Sequence, residues 1–240
     1  RQDISLITST TSGHVLQNPY TDHFARIRKA QDGVDIPDGC ADYKTALREI
    51  ERDGKKREHW MWYVWPTLRA LRPNTLYPEY LLPSFSAAKL YLCDATLRTR
   101  LKRMCEVTLA ATSRTRRSLV DILGPTDAEK FHESTTIFLV AAMMAAPRTR
   151  WRAPLIEVLK NAVYVASSCC AFNRTEENLY GEPAVLHARA IGAIAREESS
   201  SVLMRARFFR DLAHMYSTHT PTKKRVGPPP RRAKLDFQCT

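Results

Sequence analysis

Apolar residues recur every three to four positions along most of this chain, the spacing of one helix face. In residues 41–54, Tyr43, Ala46, Leu47 and Ile50 fall on one stripe, and Gly54 is placed to end the helix. A second helix is predicted over residues 95–113. Leu97, Leu101, Met104 and Thr108 make its apolar stripe, while Arg98, Lys102 and Arg103 lie off it. A third is expected to begin at Asp127, read as its N-cap, and to run through TIFLVAAMMAA, which ends just before Pro147. That run is too short to span a bilayer and predicts a buried helix. Asp22 to Gln31 gives a short helix, residues 32–40 a loop, and Leu155 to Ser167 a fourth long helix. VLHARAIGAIAREE and SVLMRARFFRDLAHMY then form a helical pair. Alternation with period two is absent, so the expected fold is all-α.

The pattern also divides the chain. Residues 1–19 read as irregular, with Gly13 and Pro19 as breakers. Residues 20–180 form one helical domain, and 181–220 a helical extension. Residues 221–240 carry four prolines and six basic residues and are expected to be an extended basic tail. Arg1 in place of an initiating Met is read as the mark of a missing upstream piece. One stretch escapes the amphipathic rule: HWMWYVWP, residues 59–66, is apolar on every side. It predicts a central helix or short strand buried nearly all round, with Trp60 and Trp62 as core anchors and Pro66 ending the element.

Charge changes the picture more than composition does. The chain holds 37 Lys and Arg against 25 Asp and Glu, a formal net charge of +12. Such a surface attracts polyanions. Three basic clusters are candidate RNA contacts. The first is Arg98, Lys102 and Arg103, continued by Arg114, Arg116 and Arg117. The second is Arg148, Arg150 and Arg152, around Trp151. The third is Lys223, Lys224, Arg225, Arg231, Arg232 and Lys234 in the tail. A proline-punctuated basic tail has no core of its own but can lie along a phosphate backbone, where counterion release drives binding.

Catalytic and metal signatures are missing from the sequence. The six cysteines make no C-x-x-C pair and are expected to be reduced and buried. His132-Glu133 is not part of an H-E-x-x-H, and there is no G-x-S-x-G elbow or phosphate-cradling glycine motif. His59 has no acid or thiol at motif spacing and reads as structural. No catalytic residue, metal ligand or cofactor is assigned.

Several of these residues together carry a resemblance. Phe24, Ala30-Gln31, Tyr43, Ala46-Leu47, Gly54-Lys55-Lys56, His59-Trp60-Met61-Trp62 and Trp65-Pro66 occur in order. Tyr91-Leu92, Leu97 with Arg100-Leu101, Leu123-Gly124, Asp127, Lys130 and Glu133-Ser134-Thr135-Thr136 follow. Over residues 20–180 this resembles an uncharacterised, mainly bacterial all-helical family, the domain of unknown function eighteen-ten, often mislabelled calpastatin. The sequence departs from the family pattern in several places. Glu133 stands where a small hydroxyl residue is expected, and Arg69-Ala70-Leu71-Arg72 lacks the usual glycines. Thr67 follows Pro66, and the loop 32–40 is long. The resemblance implies an all-helical domain and a vestigial pocket lined by Gln31, His59, Trp62 and Ser134.

Charge, tail and a recruited domain together predict a non-enzymatic structural subunit of a large ribonucleoprotein. The expected setting is a mitochondrial ribosome in the matrix, the partners ribosomal RNA and neighbouring subunits, with no small-molecule substrate and no transmembrane segment. Two alternatives stand beside it. One is an enzyme or small-molecule binder, mitochondrial or cytoplasmic, that keeps an activity of the bacterial family. The other is a scaffold subunit of a mitochondrial membrane complex.

Overall fold

The computed structural model of the protein describes residues 18–170, except Pro147 and, at the end of the last helix, the side chains of residues 168–170. The expected irregular start, the helical extension 181–220 and the basic tail 221–240 thus lie wholly or almost wholly outside the described residues. What is described is all-α, with eight α-helices, a π turn and two short 3-10 turns. Among the described residues extended pairing is limited to two single bridges, Cys40 with His59 and Leu68 with Leu82.

The helices begin where side chains supply the missing backbone partners. Helix α1 covers Thr21–Gln31. Asp42 caps α2 (Tyr43–Arg48), accepting from the Thr45 N–H. The helix expected over 41–54 is not regular: after α2 it widens into a π turn, Glu49–Asp53, and then stops at Gly54. Gly54 has φ +60°, and a Cβ there would come 2.8 Å from Thr115 Cγ2, so glycine is required twice over. The aromatic stretch forms a four-residue helix, α3 (Met61–Val64), which Pro66 follows after a non-helical Trp65. Ser84 caps α4 (Phe85–Tyr91) and Asp94 caps α5 (Ala95–Thr115). A Ser118–Asp121 capping box starts α6 (Leu119–Leu123).

Helix α7 (Pro125–Met144) differs from the sequence expectation at its start. Gly124 occupies the N-cap with φ +84° and ψ +159°, Pro125 takes the first helical position, and Asp127 lies inside the first turn. Asp127 caps nothing; its carboxylate is used elsewhere. Pro125 wins the first position because its missing N–H would be unpaired there in any case. The last described helix, α8, spans Arg152–Cys170.

The core forms around α7, which packs on α8, α4 and α6, while α5 packs on α8 and on the π turn. Residues 130–142 of α7 are all buried, polar ones included. Two aromatic runs tie the other helices to it. Trp60 meets Trp65 at 5.5 Å, and Trp65 meets Phe131 edge-on at 4.7 Å. Phe24 meets Tyr91 at 5.8 Å, and Tyr91 meets Phe138 at 4.8 Å. Trp60 and Trp65 are wholly buried, but Trp62 is only half-buried. Of the three cysteines whose side chains are described, Cys105 is buried, Cys40 half-buried and Cys93 exposed, all as free thiols. Cys93 follows the end of α4, where its position faces solvent, which the expectation of buried cysteines did not foresee.

Two substitutions test this packing. Trp60→Ala is expected to lower the free energy of unfolding by about 3–5 kcal/mol in urea denaturation, as other large aromatic deletions do. Gly54→Ala is expected to cost at least about 1–2 kcal/mol for the left-handed backbone alone, with the Thr115 clash in addition.

Candidate functional site

The aromatic signature is preceded by a loop that is shaped by one buried carboxylate. Glu49, at the start of the π turn, is 6% exposed. Its side chain accepts from the Arg57 N–H at 2.9 Å, the Glu58 N–H at 3.2 Å and the Trp60 indole N–H at 2.9 Å. The loop therefore wraps the carboxylate, and the Lys56 N–H is fixed to the Ile122 carbonyl of α6 at 2.8 Å.

This construction presents Lys56 to the start of α7. Its Nζ lies 2.8 Å from Asp127 Oδ2, and Lys130 Nζ lies 2.9 Å from Asp127 Oδ1. The two lysine side chains are only 8% and 9% exposed. Each ammonium also faces an aromatic ring, Lys56 over Trp60 at 5.3 Å and Lys130 over Trp62 at 3.6 Å. Burial lowers the Lys130 pKa and the Asp127 charge only partly restores it; Arg72 and Lys56 push the same way as burial. For Asp127, burial would raise the pKa, but the Lys56 hydrogen bond and the Lys130 charge outweigh it, so the carboxyl is held below its ordinary value.

These groups line an open cleft of about 400 Å³. Lys56, Asp127 and Lys130 line it together with His59 and with Gly124, Pro125 and Thr126 at the head of α7, while Trp62, Leu76 and Tyr77 add apolar surface. The first N–H groups of a helix have no partner within it, so α7 turns the positive end of its dipole toward the cleft. A single carboxylate shared by two lysines leaves a local excess of one positive charge. Chemically, the cleft can hold an anion against two ammonium groups and a helix start.

A second ion network holds the loop that carries Leu76 and Tyr77. Arg72 Nε donates to Glu133 Oε2 at 3.0 Å, and its Nη2 approaches Glu129 Oε2 at 3.4 Å. The Glu133 side chain is fully buried and the charges of both glutamates, Glu133 first, raise the Arg72 pKa against the effect of burial. Neither glutamate lines the cleft. Arg72 and Glu133, two departures from the family pattern, are thus partners of each other.

The four residues of the expected vestigial pocket do not converge. His59 and Trp62 line the cleft. Gln31 is buried elsewhere, donating to the Tyr63 carbonyl at 2.7 Å and accepting from Arg100 at 3.1 Å. Ser134 donates to the Pro66 carbonyl at 2.9 Å. Both serve the fold, one side chain each to a backbone group that the aromatic segment leaves open. Lys56, Leu76, Tyr77, Asp127 and Lys130 were not named as site residues from sequence. The pointers to three of them were the Gly-Lys-Lys of the signature and the Asp127-x-x-Lys130 spacing, which puts both side chains on one helix face.

The basic candidates divide in two. Arg98 donates to the Leu92 carbonyl at 2.6 Å and stacks on Trp151 at 4.8 Å. Arg152 donates to the Ala142 and Met143 carbonyls at the end of α7, and Arg114 to the Ile50 carbonyl. Lys102 pairs with Glu106, and Arg103 with Glu51. These five are engaged within the chain. Arg116, Arg117, Arg148 and Arg150 are exposed and have no ion pair among the described residues. Lys223, Lys224, Arg225, Arg231, Arg232 and Lys234 lie outside the described residues. Among the described residues no cluster of His, Cys, Asp and Glu fits a metal ion, and no helix is long and apolar enough to cross a membrane.

Arg72→Met should destabilise the protein by about 3 kcal/mol, because it removes the guanidinium that pairs with the buried Glu133 carboxylate. The double variant Arg72→Met with Glu133→Leu should recover much of that loss in the same denaturation experiment, and a double variant no more stable than the single one would contradict the pairing.

A comparison with curated proteins yields no match. Among solved structures, the chain resembles the crystal structure of the conserved hypothetical protein Rv1873 from Mycobacterium tuberculosis. The two are 30% identical, over 62% of this chain and 91% of the other, with a TM-score of 0.47. The family described as protein of unknown function, DUF1810, matches residues 22–156, more than half of the chain and every residue of the cleft. The chain is therefore a member of the DUF1810 family.

Proposed function

We propose that this protein is a small-molecule binder whose ligand is an anion held in the cleft between the signature loop and the start of α7. One observation carries the reading: Lys56 and Lys130, both nearly buried, share the single carboxylate of Asp127 on the wall of an open cleft. An uncompensated cation at low exposure is costly unless an anion meets it. A phosphate or carboxylate group would complete the charge balance and take N–H donors from the head of α7. The reading differs from the one that charge alone supports. It follows the small-molecule alternative, but with Lys56, Asp127 and Lys130 in place of Gln31 and Ser134.

A ribonucleoprotein subunit of the mitochondrial matrix is the second reading. It rests on the net charge of +12 and on four exposed arginines, Arg116, Arg117, Arg148 and Arg150. Co-sedimentation of the native protein with ribosomal RNA, before and after nuclease, separates it from the first.

For the first reading, titration calorimetry with inorganic phosphate at low ionic strength is expected to show one site. Lys56→Met and Lys130→Met should each weaken it about tenfold or more, the loss of one charge-assisted hydrogen bond. Melting temperatures taken without phosphate report whether each variant is folded. Absence of any heat or melting shift from phosphate in the folded wild-type protein would refute the reading.

A further inference from the structure

We infer that the anion of the cleft carries a flat aromatic body, as a mononucleotide does, and that Leu76 and Tyr77 are the residues that recognise it. This rests on the anion reading above and names the class of ligand.

The lining of the cleft is chemically mixed. Lys56, Lys130 and the head of α7 supply charge and N–H groups, and Trp62, Leu76 and Tyr77 supply apolar surface, with Trp62 packed against the Lys130 ammonium at 3.6 Å. Leu76 is 82% exposed, and the other exposed large hydrophobic among the described residues, Val34, does not line the cleft. Apolar surface left in water beside a cavity is the surface that a ligand covers with gain. The Tyr77 ring stands 5.8 Å from the Trp62 ring at 65°, so the two make an aromatic corner rather than a closed stack.

The apolar lining is held in place. Arg72, five residues before Tyr77, is tied to α7 through Glu133 and Glu129. After it, Leu81 and Leu82 are buried, and the Leu82 N–H donates to the Thr67 carbonyl at 2.8 Å. A rim fixed at both ends keeps Leu76 exposed by construction. Inorganic phosphate alone would neutralise the lysines and leave this rim bare. A cleft of about 400 Å³ lies within the usual range for sites that take a whole small ligand. An aromatic phosphate satisfies both kinds of lining at once: phosphate on Lys56, Lys130 and the α7 N–H groups, ring system against Leu76 and Tyr77.

The test uses the full chain and calorimetry with four probes: adenosine 5′-monophosphate, ribose 5-phosphate, adenosine and inorganic phosphate. The mononucleotide should bind about tenfold more tightly than ribose 5-phosphate, the gain from burying roughly 50 Å² of apolar surface. Leu76→Ser should remove that margin while leaving phosphate affinity and melting temperature unchanged, since the side chain is exposed. Equal binding of the mononucleotide and ribose 5-phosphate, with phosphate still bound, would overturn this inference and leave the anion reading standing. Failure of all three phosphate compounds would overturn both. A 5′-phosphorylated oligoribonucleotide distinguishes the two sources of the chemistry. Displacement of bound mononucleotide supports an RNA terminus as the ligand, and no displacement supports a free nucleotide.

Discussion

The Glu49 carboxylate organises the first half of this domain. A buried carboxylate without a cation beside it is tolerated only when N–H groups satisfy it. Here two backbone N–H groups and the Trp60 indole do so. The π turn that starts at Glu49 shifts the register of the helix by one residue, and such insertions often sit beside functional sites. The consequence runs outward from the core. Trp60 is fixed at both ends, by Glu49 and by Trp65, and the loop between Gly54 and Trp60 has one path left to it. Along that path Lys56 reaches Asp127.

Helix α7 answers from the other side. Most helices of this length present one polar face to water, but residues 130–142 of α7 are buried all round, so its polar groups had to find partners inside. Thr135 donates back to the Phe131 carbonyl of its own helix, and others are matched to different segments. Ser134 serves the Pro66 carbonyl, Glu133 serves Arg72, and Asp127 with Lys130 serves Lys56. The same helix therefore holds the aromatic segment, the rim loop and the signature loop, and the cleft is the space where these three attachments meet. The charge on its wall comes from the same attachments: Lys56 and Lys130 share the one carboxylate of Asp127.

Most of the helices were legible in the sequence because periodicity is local. The long helices α5, α7 and α8 lie where periodicity put them, whereas the short α4 and α6, capped by Ser84 and Ser118, were not read from sequence. The π turn was not legible, since a widened turn leaves the apolar spacing of Tyr43, Ala46 and Ile50 intact. Asp127 was misread because an acidic residue before an apolar helix looks the same whether it caps the helix or pairs across the fold; Gly124-Pro125 was the stronger start signal. The arginines carried a similar ambiguity. Arg98, Arg114 and Arg152 look like charged surface, yet they donate to carbonyls at helix ends. Only the distance of about 70 residues between Lys56 and Lys130 hid the cleft itself, because no local pattern links two lysines through a third residue's charge. The departures at Arg72 and Glu133 looked like decay of the family pattern one at a time and become one ion pair when folded.

The central claim is that Lys130, desolvated and sharing the Asp127 carboxylate with Lys56, takes a second anion from the cleft. Its titration, followed by NMR of the side-chain Nζ and Cε in the folded protein, tests this directly. In the free protein Lys130 should lose its proton below the ordinary lysine value, as burial demands. Saturating phosphate should move that titration upward, because a bound anion favours the charged form. A Lys130 that titrates as an ordinary lysine and does not respond to phosphate would contradict the account.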